Sequence, residues 1–199
     1  MTLSPFAANR FEFEDQTFQD ITDLGGDMSH RRFTGCTFRK CRFTESNLTG
    51  VHFDDCRLVE CQFTLCNLND VKLQEVTFAT CKLVGLDFTV CDSFLLEMKL
   101  EDCMLSGANF SRMSLESQNF GGCELHNCDF IGADLRKADF SGADLHNSVF
   151  HHTDLRNCDF RDARNYLINP TENKLAKARF SWPEALALLE VLEIEVKVL

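Results

Sequence analysis

Large apolar residues recur along this chain at every fifth position. Leu or Phe fills each step from Phe33 to Phe88, and again each step from Leu100 to Phe160. Two residues before each of them stands a second patterned position. Smaller side chains dominate there: Cys36, Cys41, Ser46, Val51 and Cys56 upstream, Ala133, Ala138, Ala143, Ser148 and Thr153 downstream. The other three positions are mostly polar or glycine. A helix repeats every 3.6 residues and a strand every 2, so a beat of five is neither. Positions two apart do share one side of a short extended segment. The remaining three residues leave room for a corner. The pattern predicts short extended edges joined by tight turns, with both patterned positions facing inward. Such coils bury a continuous core only by stacking, as in an all-β solenoid.

The beat slips once. Phe88 and Leu100 are twelve apart, two more than two whole periods. Ser93 stands where Leu or Phe is due; Phe94, Leu95 and Leu96 then run together, Glu97 follows, and Met98 restarts the pattern. Two extra residues must be taken up by a bulge or kink, or the downstream core would turn to solvent. The segment Ser93, Phe94, Leu95, Leu96, Glu97 is either a tolerated defect or a small loop aimed at a partner. Residues 21–30 are also irregular, and Gly25-Gly26 marks a turn there.

After Asp162 the apolar beat lapses. Asn169-Pro170 reads as a turn, followed by a short helix over residues 171–178. Ser181, Pro183 and Glu184 have the spacing of a capped helix start. Leu186, Leu189 and Leu192 then make an apolar stripe, and residues 194–198 alternate like a strand. A solenoid end exposes core and unpaired edges, so a cap is needed. This tail is either a simple monomeric cap or a two-fold, self-complementary joint between copies. The joint would use Trp182, Leu186, Leu189, Leu192, Ile194 and Val196. The expected division is a cap and irregular first coil over 1–30, repeats over 31–163 interrupted at 93–97, and a helical cap and dimerisation segment over 164–199.

Composition changes this picture at one point. Eleven cysteines would ordinarily raise disulfides or metal. Here every one of them falls on the small inward position, at multiples of five within each block. They read as small buried hydrophobes, exchangeable with Ala, Ser and Val. The other reading is a stack of thiols open to a soft metal. His126 and His146 are 20 apart with Asp144 nearby, which is either a polar ladder or a fragment of a metal site. No phosphate-binding Gly loop, HExxH or GxSxG is present, and neither catalysis nor a cofactor is expected.

Net charge is −11, which argues against direct nucleic-acid binding. No apolar run is long enough to span a membrane, and residues 1–15 do not read as a secretory signal, so a cytoplasmic location is expected. The acidity is uneven: −5 over residues 1–30, zero over 31–95, −6 over 96–163 and zero over 164–199. Folded at 20 residues per coil, the acidic block sorts into rows. One holds Glu101, Asp102, Asp139, Asp159 and Asp162 against Lys99 and Arg161; the next holds Asp134, Asp154 and Glu116, partly offset by Arg136, Lys137 and Arg156; a third holds Glu124 and Asp144. The rows are either an ordinary solvated surface or an imitation of the charge along duplex DNA.

The run GADLRKADFSGADLHN, Gly132 to Asn147, resembles the A(D/N)LXX motif of the pentapeptide-repeat family. The resemblance implies a right-handed quadrilateral β-helix with four pentapeptides per coil. The tail, with Phe180, Ser181, Pro183, Glu184 and Ala185 before a Leu-rich helix and an Ile-Glu-Val strand, is similar to the Qnr, MfpA and albicidin-resistance branch. That branch implies a homodimer joined through the C-terminal segment. It also implies binding to DNA gyrase or topoisomerase IV, with protection from quinolones or peptide toxins, in some members by DNA mimicry. The loops typical of Qnr members are not evident here. The alternative is a structural or adaptor solenoid with no topoisomerase target.

Overall fold

The computed structural model describes residues 10–190, 192 and 194. It is a parallel β-solenoid whose chain falls into two compact units, Met1–Met104 and Leu105–Leu199. In the first unit three walls are parallel sheets of short strands. One stacks Glu12–Glu14, Arg32–Thr34, His52–Asp54 and the start of Lys72–Ala79. The next stacks Thr17–Gln19, Thr37–Arg39, Arg57–Val59 and the end of that same long strand. The third stacks Thr22–Leu24, Arg42–Thr44, Gln62–Thr64 and Lys82–Val84. Bridges Asp27–Asn47–Asn67 make the fourth wall. Partners are 20 residues apart, as in Phe13, Phe33 and Phe53. The first coil, expected to be irregular over residues 21–30, keeps this register throughout.

In the first unit, the residue just before each large inward side chain separates strand walls from turn walls. Where it is Asp or Asn, its side chain accepts the N–H two residues on. Asp27 to Ser29, Asn47 to Thr49 and Asn67 to Asn69 do this at 3.0, 3.1 and 3.0 Å. The bond favours a tight turn over an extended edge. Where Arg32, Thr37, Arg42, Gln62 or Lys82 occupies the place, no such bond competes and a three-residue strand forms.

The core is two stacked sets of side chains. Phe120, Phe140, Phe160 and Phe180 lie nearly parallel at centroid separations of 5.0, 4.9 and 5.1 Å. Phe130 and Phe150 meet their neighbours edge to face, so stacked and T-shaped contacts alternate. All eleven cysteines are free and buried at the small inward position. Many donate to the carbonyl of the large inward residue one coil earlier: Cys56 to Phe33 at 3.3 Å, Cys81 to Leu58 at 3.3 Å, Cys158 to Leu135 at 2.8 Å. Ser148 to Leu125 at 2.6 Å and Thr153 to Phe130 at 2.8 Å repeat the contact. A carbonyl has two lone pairs, so it can take this bond besides one from the backbone. That explains why Cys, Ser and Thr interchange here.

The slip is absorbed locally. Asp87 and Asp92 cap two 3-10 turns, Phe88–Val90 and Ser93–Leu95. Strand Leu96–Glu101 then pairs with Lys72–Ala79, first as Leu73 with Leu96 and then as Val76 with Met98 and Phe78 with Leu100. The register steps between Leu73 and Val76, and beyond it the offset is 22 rather than 20. Met98 and Leu100 are thereby returned to the core.

In the second unit the solenoid outruns its sequence beat. The expected helix over 171–178 is absent; those residues form turns and a bridge from Lys174 to Asp154. Val149–Phe150 pairs with Leu167–Ile168, and Asp159–Phe160 with Arg179–Phe180. Tyr166 enters the core one position late and packs against Phe160 and Phe180. Asn173 turns inward, donates to the Phe150 carbonyl at 2.9 Å and accepts from the Thr153 N–H at 2.9 Å. The helix start expected at Ser181 is also displaced: its hydroxyl bonds Asp162, and a 3-10 turn begins at Glu184 without a side-chain cap. One short α-helix, α1 (Ala187–Glu190), follows. The strand expected over 194–198 lies outside the described residues except for Ile194.

Two predictions follow from the first unit. Leu58, stacked between Phe38 and Phe78, lines an apolar cavity of about 20 Å³. Leu58→Phe should extend the ring stack and gain about 0.5 kcal/mol in urea unfolding. His52 stands in register between Arg32 and Lys72, with Asp54 two residues away. Burial first, then Arg32 and more weakly Lys72, hold its imidazole below the ordinary 6.5, outweighing the opposing pulls of Asp54 and Gln74. The unfolded chain therefore binds this proton first. The His52 contribution should be complete above about pH 6.5 and lost as pH falls through the folded value. His52→Gln should flatten the stability profile between about pH 5 and 7, read by thermal unfolding.

Candidate partner-binding surface

The carboxylates of the acidic rows divide into tied and open groups. In the second unit, Asp134-Leu135-Arg136, Asp154-Leu155-Arg156 and Asp159-Phe160-Arg161 place an acid and an arginine two residues apart on one outward edge. Each arginine closes on its own aspartate with both Nε and Nη2, the Nη2 contacts being 2.7, 2.7 and 2.6 Å. Residues one coil later add bases from above: Lys174 to Asp154 at 3.7 Å, Arg179 to Asp159 at 2.8 Å, Arg164 to Asp144 at 3.0 Å. The Asp159 side chain is only 9% exposed, and Asp144 and Asp154 15%. Hydrogen bonds from Arg136, Arg156 and Arg161 hold Asp134, Asp154 and Asp159 below the usual carboxylate range. Burial works to raise Asp144, and bonds from Asn165 and Arg164 outweigh it. Arg136 also reaches Glu116 at 2.9 Å, which Lys137 meets at 2.8 Å.

The open group is Asp102, Asp139 and Asp162; Glu101, paired with Arg57, stands between the two. Asp139 accepts the Ser141 N–H at 2.8 Å and is half-buried. Asp162 is exposed and bonds Ser181. In the first unit Asp102 is exposed at a corner with φ of +50°, and Glu101 meets Arg57 at 2.8 Å with both side chains half in solvent. Among the described residues no salt bridge engages Asp102, Asp139 or Asp162. The Asp-x-Arg spacing was present in the sequence for Asp134, Asp154 and Asp159, but it does not by itself separate the groups: Asp162-Ala163-Arg164 shares it and stays open, while Asp144 lacks it and is tied by Arg164 from the next coil.

The apolar candidates also separate. Phe94, at the crest of the slip, is 91% exposed, the most exposed of the large hydrophobic side chains described. Ser93 and Glu97 are exposed beside it and Leu96 is half-buried. The backbone of Ser93–Leu95 is fixed by the Asp92 carboxylate, which accepts the Phe94 N–H at 3.0 Å. In the tail Trp182 is 67% exposed, Ile194 50% and Leu192 41%, while Leu186 and Leu189 are half-buried. Val196 lies outside the described residues. Val149 and Leu167, adjacent rungs of one wall near α1, add exposed aliphatic surface. His126 lies 3.7 Å from Asp144 and its ring meets His146 edge-on at 6.0 Å. No group of three or more His, Cys, Asp or Glu converges on a metal position among the described residues. No helix among them is long and apolar enough to cross a membrane.

Stacked parallel rungs, inward pairs two apart and Asx-bonded corners define the five-residue class of β-solenoid. Family models for pentapeptide repeats match residues 99–130 and 123–162, and one for a pentapeptide repeat region matches 31–110. The chain belongs to the pentapeptide-repeat family. Among solved structures it is similar to two trypsin-treated forms of QnrB1, a plasmid-mediated fluoroquinolone resistance protein. One has a TM-score of 0.53 and 26% identity, covering 95% of this chain and 93% of QnrB1. The other has a TM-score of 0.52 and 19% identity, covering 94% and 100%. HetL, a pentapeptide repeat protein involved in heterocyst differentiation regulation from a Nostoc cyanobacterium, is similar at 19% identity with a TM-score of 0.45, covering 87% and 88%. A search of curated protein sequences gave no match.

The tied and open carboxylates should respond differently to neutralisation. Asp159→Ala strands Arg161 and Arg179 and should cost about 1–3 kcal/mol of stability in denaturant unfolding. Asp139→Asn keeps its bond to the Ser141 N–H and should change stability by less than about 0.5 kcal/mol.

Proposed function

We propose that this protein protects a bacterial type II topoisomerase, DNA gyrase or topoisomerase IV, from quinolones or peptide toxins. The observation that carries the reading is the likeness to QnrB1 over nearly the whole of both chains at 26% identity. The slip supports it: a rigid wall presents one aromatic side chain, Phe94, almost fully to solvent. Buried aromatic anchors dominate many protein interfaces. Glu101 and Asp102, further along the same unit, supply charge toward a basic, DNA-handling surface. The tail, with Trp182, Leu192 and Ile194 exposed, would join two copies.

The arginine clasps on Asp134, Asp154 and Asp159 favour a second reading. Acids neutralised by their own neighbours make a weaker imitation of DNA, as a structural or adaptor solenoid would have. Mimicry here rests on the open carboxylates, with contact by Phe94 as the stronger term.

The test is supercoiling by purified gyrase and topoisomerase IV with a fluoroquinolone or albicidin. The protein should restore activity, and Phe94→Ala should raise the concentration needed about 30-fold, the loss of a typical hot spot. Neither binding nor relief of inhibition by the unaltered protein would end this reading. Trp182→Ala combined with Leu189→Asp should turn a dimer into a monomer by light scattering.

A further inference from the structure

The core of the first unit holds a line of four thiols that the proposed function leaves unused. Cys41, Cys61, Cys81 and Cys103 occupy the same inward position on successive coils. The backbone fixes them one above another: the N–H of the residue after each cysteine donates to the carbonyl of the cysteine one coil before. Gln62 bonds the Cys41 carbonyl at 2.8 Å, Lys82 the Cys61 carbonyl at 2.9 Å, and Met104 the Cys81 carbonyl at 2.9 Å. The two extra residues of the slip are absorbed before Cys103, which therefore keeps the column. All four side chains are 2% exposed or less. Cys36 and Cys56 make a second, shorter stack on the neighbouring wall, at 1% and 2% exposure. Cys66 differs: its column neighbours are Ser46 and Leu86.

Successive strands lie about 4.8 Å apart. A soft metal–thiolate bond is about 2.3 Å. Rungs at that spacing set two stacked sulfurs near twice that bond, the span of a linear two-coordinate ion. We propose that adjacent thiols of these stacks bind soft, linear-coordinating d10 cations, of which mercuric ion is the best matched. Thiolates select soft metals. The step is Hg²⁺ plus two thiols giving S–Hg–S plus two protons released to solvent. No oxidant or reductant is needed. The product is neutral, so it escapes the cost of burying a charge in an apolar core. The present bonds of these thiols, such as Cys81 to the Leu58 carbonyl at 3.3 Å and Cys103 to the Phe78 carbonyl at 3.3 Å, are weak sulfur donations that the ion replaces. The middle thiol, Cys61, is drawn toward ionisation first by the Cys41 thiol and then by Cys81, against its burial. It is the natural point of entry. The stacks of the first unit offer three pairs: Cys36 with Cys56, Cys41 with Cys61, and Cys81 with Cys103.

The experiment is native mass spectrometry of the reduced full chain after prolonged incubation with mercuric chloride, with circular dichroism to follow the fold. Three ions should be held with the β signal retained, and the thermal midpoint should rise as for any ligand bound only by the folded state. Cys61→Ala should lower the count by one. Alanine already fills the same position at Ala143 and Ala163, so the variant should fold. Cys66→Ala removes an unstacked thiol and should leave the count at three. Loss of the β signal on metal addition, an unchanged count in Cys61→Ala, or equal losses in both variants would each overturn the proposal.

Discussion

The parallel backbone ladder between coils is the constraint on which the rest depends. It bonds each coil to the one 20 residues before it, and so turns positions in the sequence into columns in space. A column is far less forgiving than an ordinary core site, because each side chain has a copy of its own position directly above and below. Large residues must stack, and rings do so alternately face to face and edge to face. The place two residues earlier admits only what fits beside that stack. A short side chain with a donor is favoured there, since a carbonyl of the previous coil lies within reach.

That geometry explains what was legible. Two inward positions at fixed spacing leave a strong period, so the extended edges, the buried thiols and the location of the slip are legible in the sequence. The far end could not. Tyr166 reaches the core from one position late, and Asn173 is a polar residue in an inward place, satisfied by Phe150 and Thr153. Neither registers as apolar periodicity, and the coil looked finished before it was. The Ser181 capping pattern misled for a different reason. Its hydroxyl had a better partner in Asp162 than in the helix that follows.

The electrostatic surface teaches a related lesson. Counting carboxylates along a face overstates the field they project. Asp134, Asp154 and Asp159 hold the N–H two residues on and the arginine beside it, so they serve the wall that carries them. Stacked like charges repel. In each of three columns the last rung answers with a base: Lys174, Arg179 and Arg164. The charge left for recognition is correspondingly modest, which shifts weight to apolar projections such as Phe94 and the exposed tail residues. An interface built that way should depend less on ionic strength than one built on charge rows.

The few inward residues that break their columns carry a consequence for how the chain finds its native state. A solenoid of near-identical rungs can mispair by one whole coil with little penalty, because a Phe meets a Phe either way. Asp23 cannot be misplaced so easily. Its carboxylate, buried where other coils carry Leu or Phe, accepts a hydrogen bond from the Ser46 hydroxyl at 2.9 Å. Shifted by one coil, it would face the Cys66 thiol instead of that hydroxyl. Asn173 does the same near the other terminus, and the bulge opposite Leu96 does so between them. These imperfections act as alignment keys. They discard a little stability in exchange for excluding off-by-one assemblies during folding.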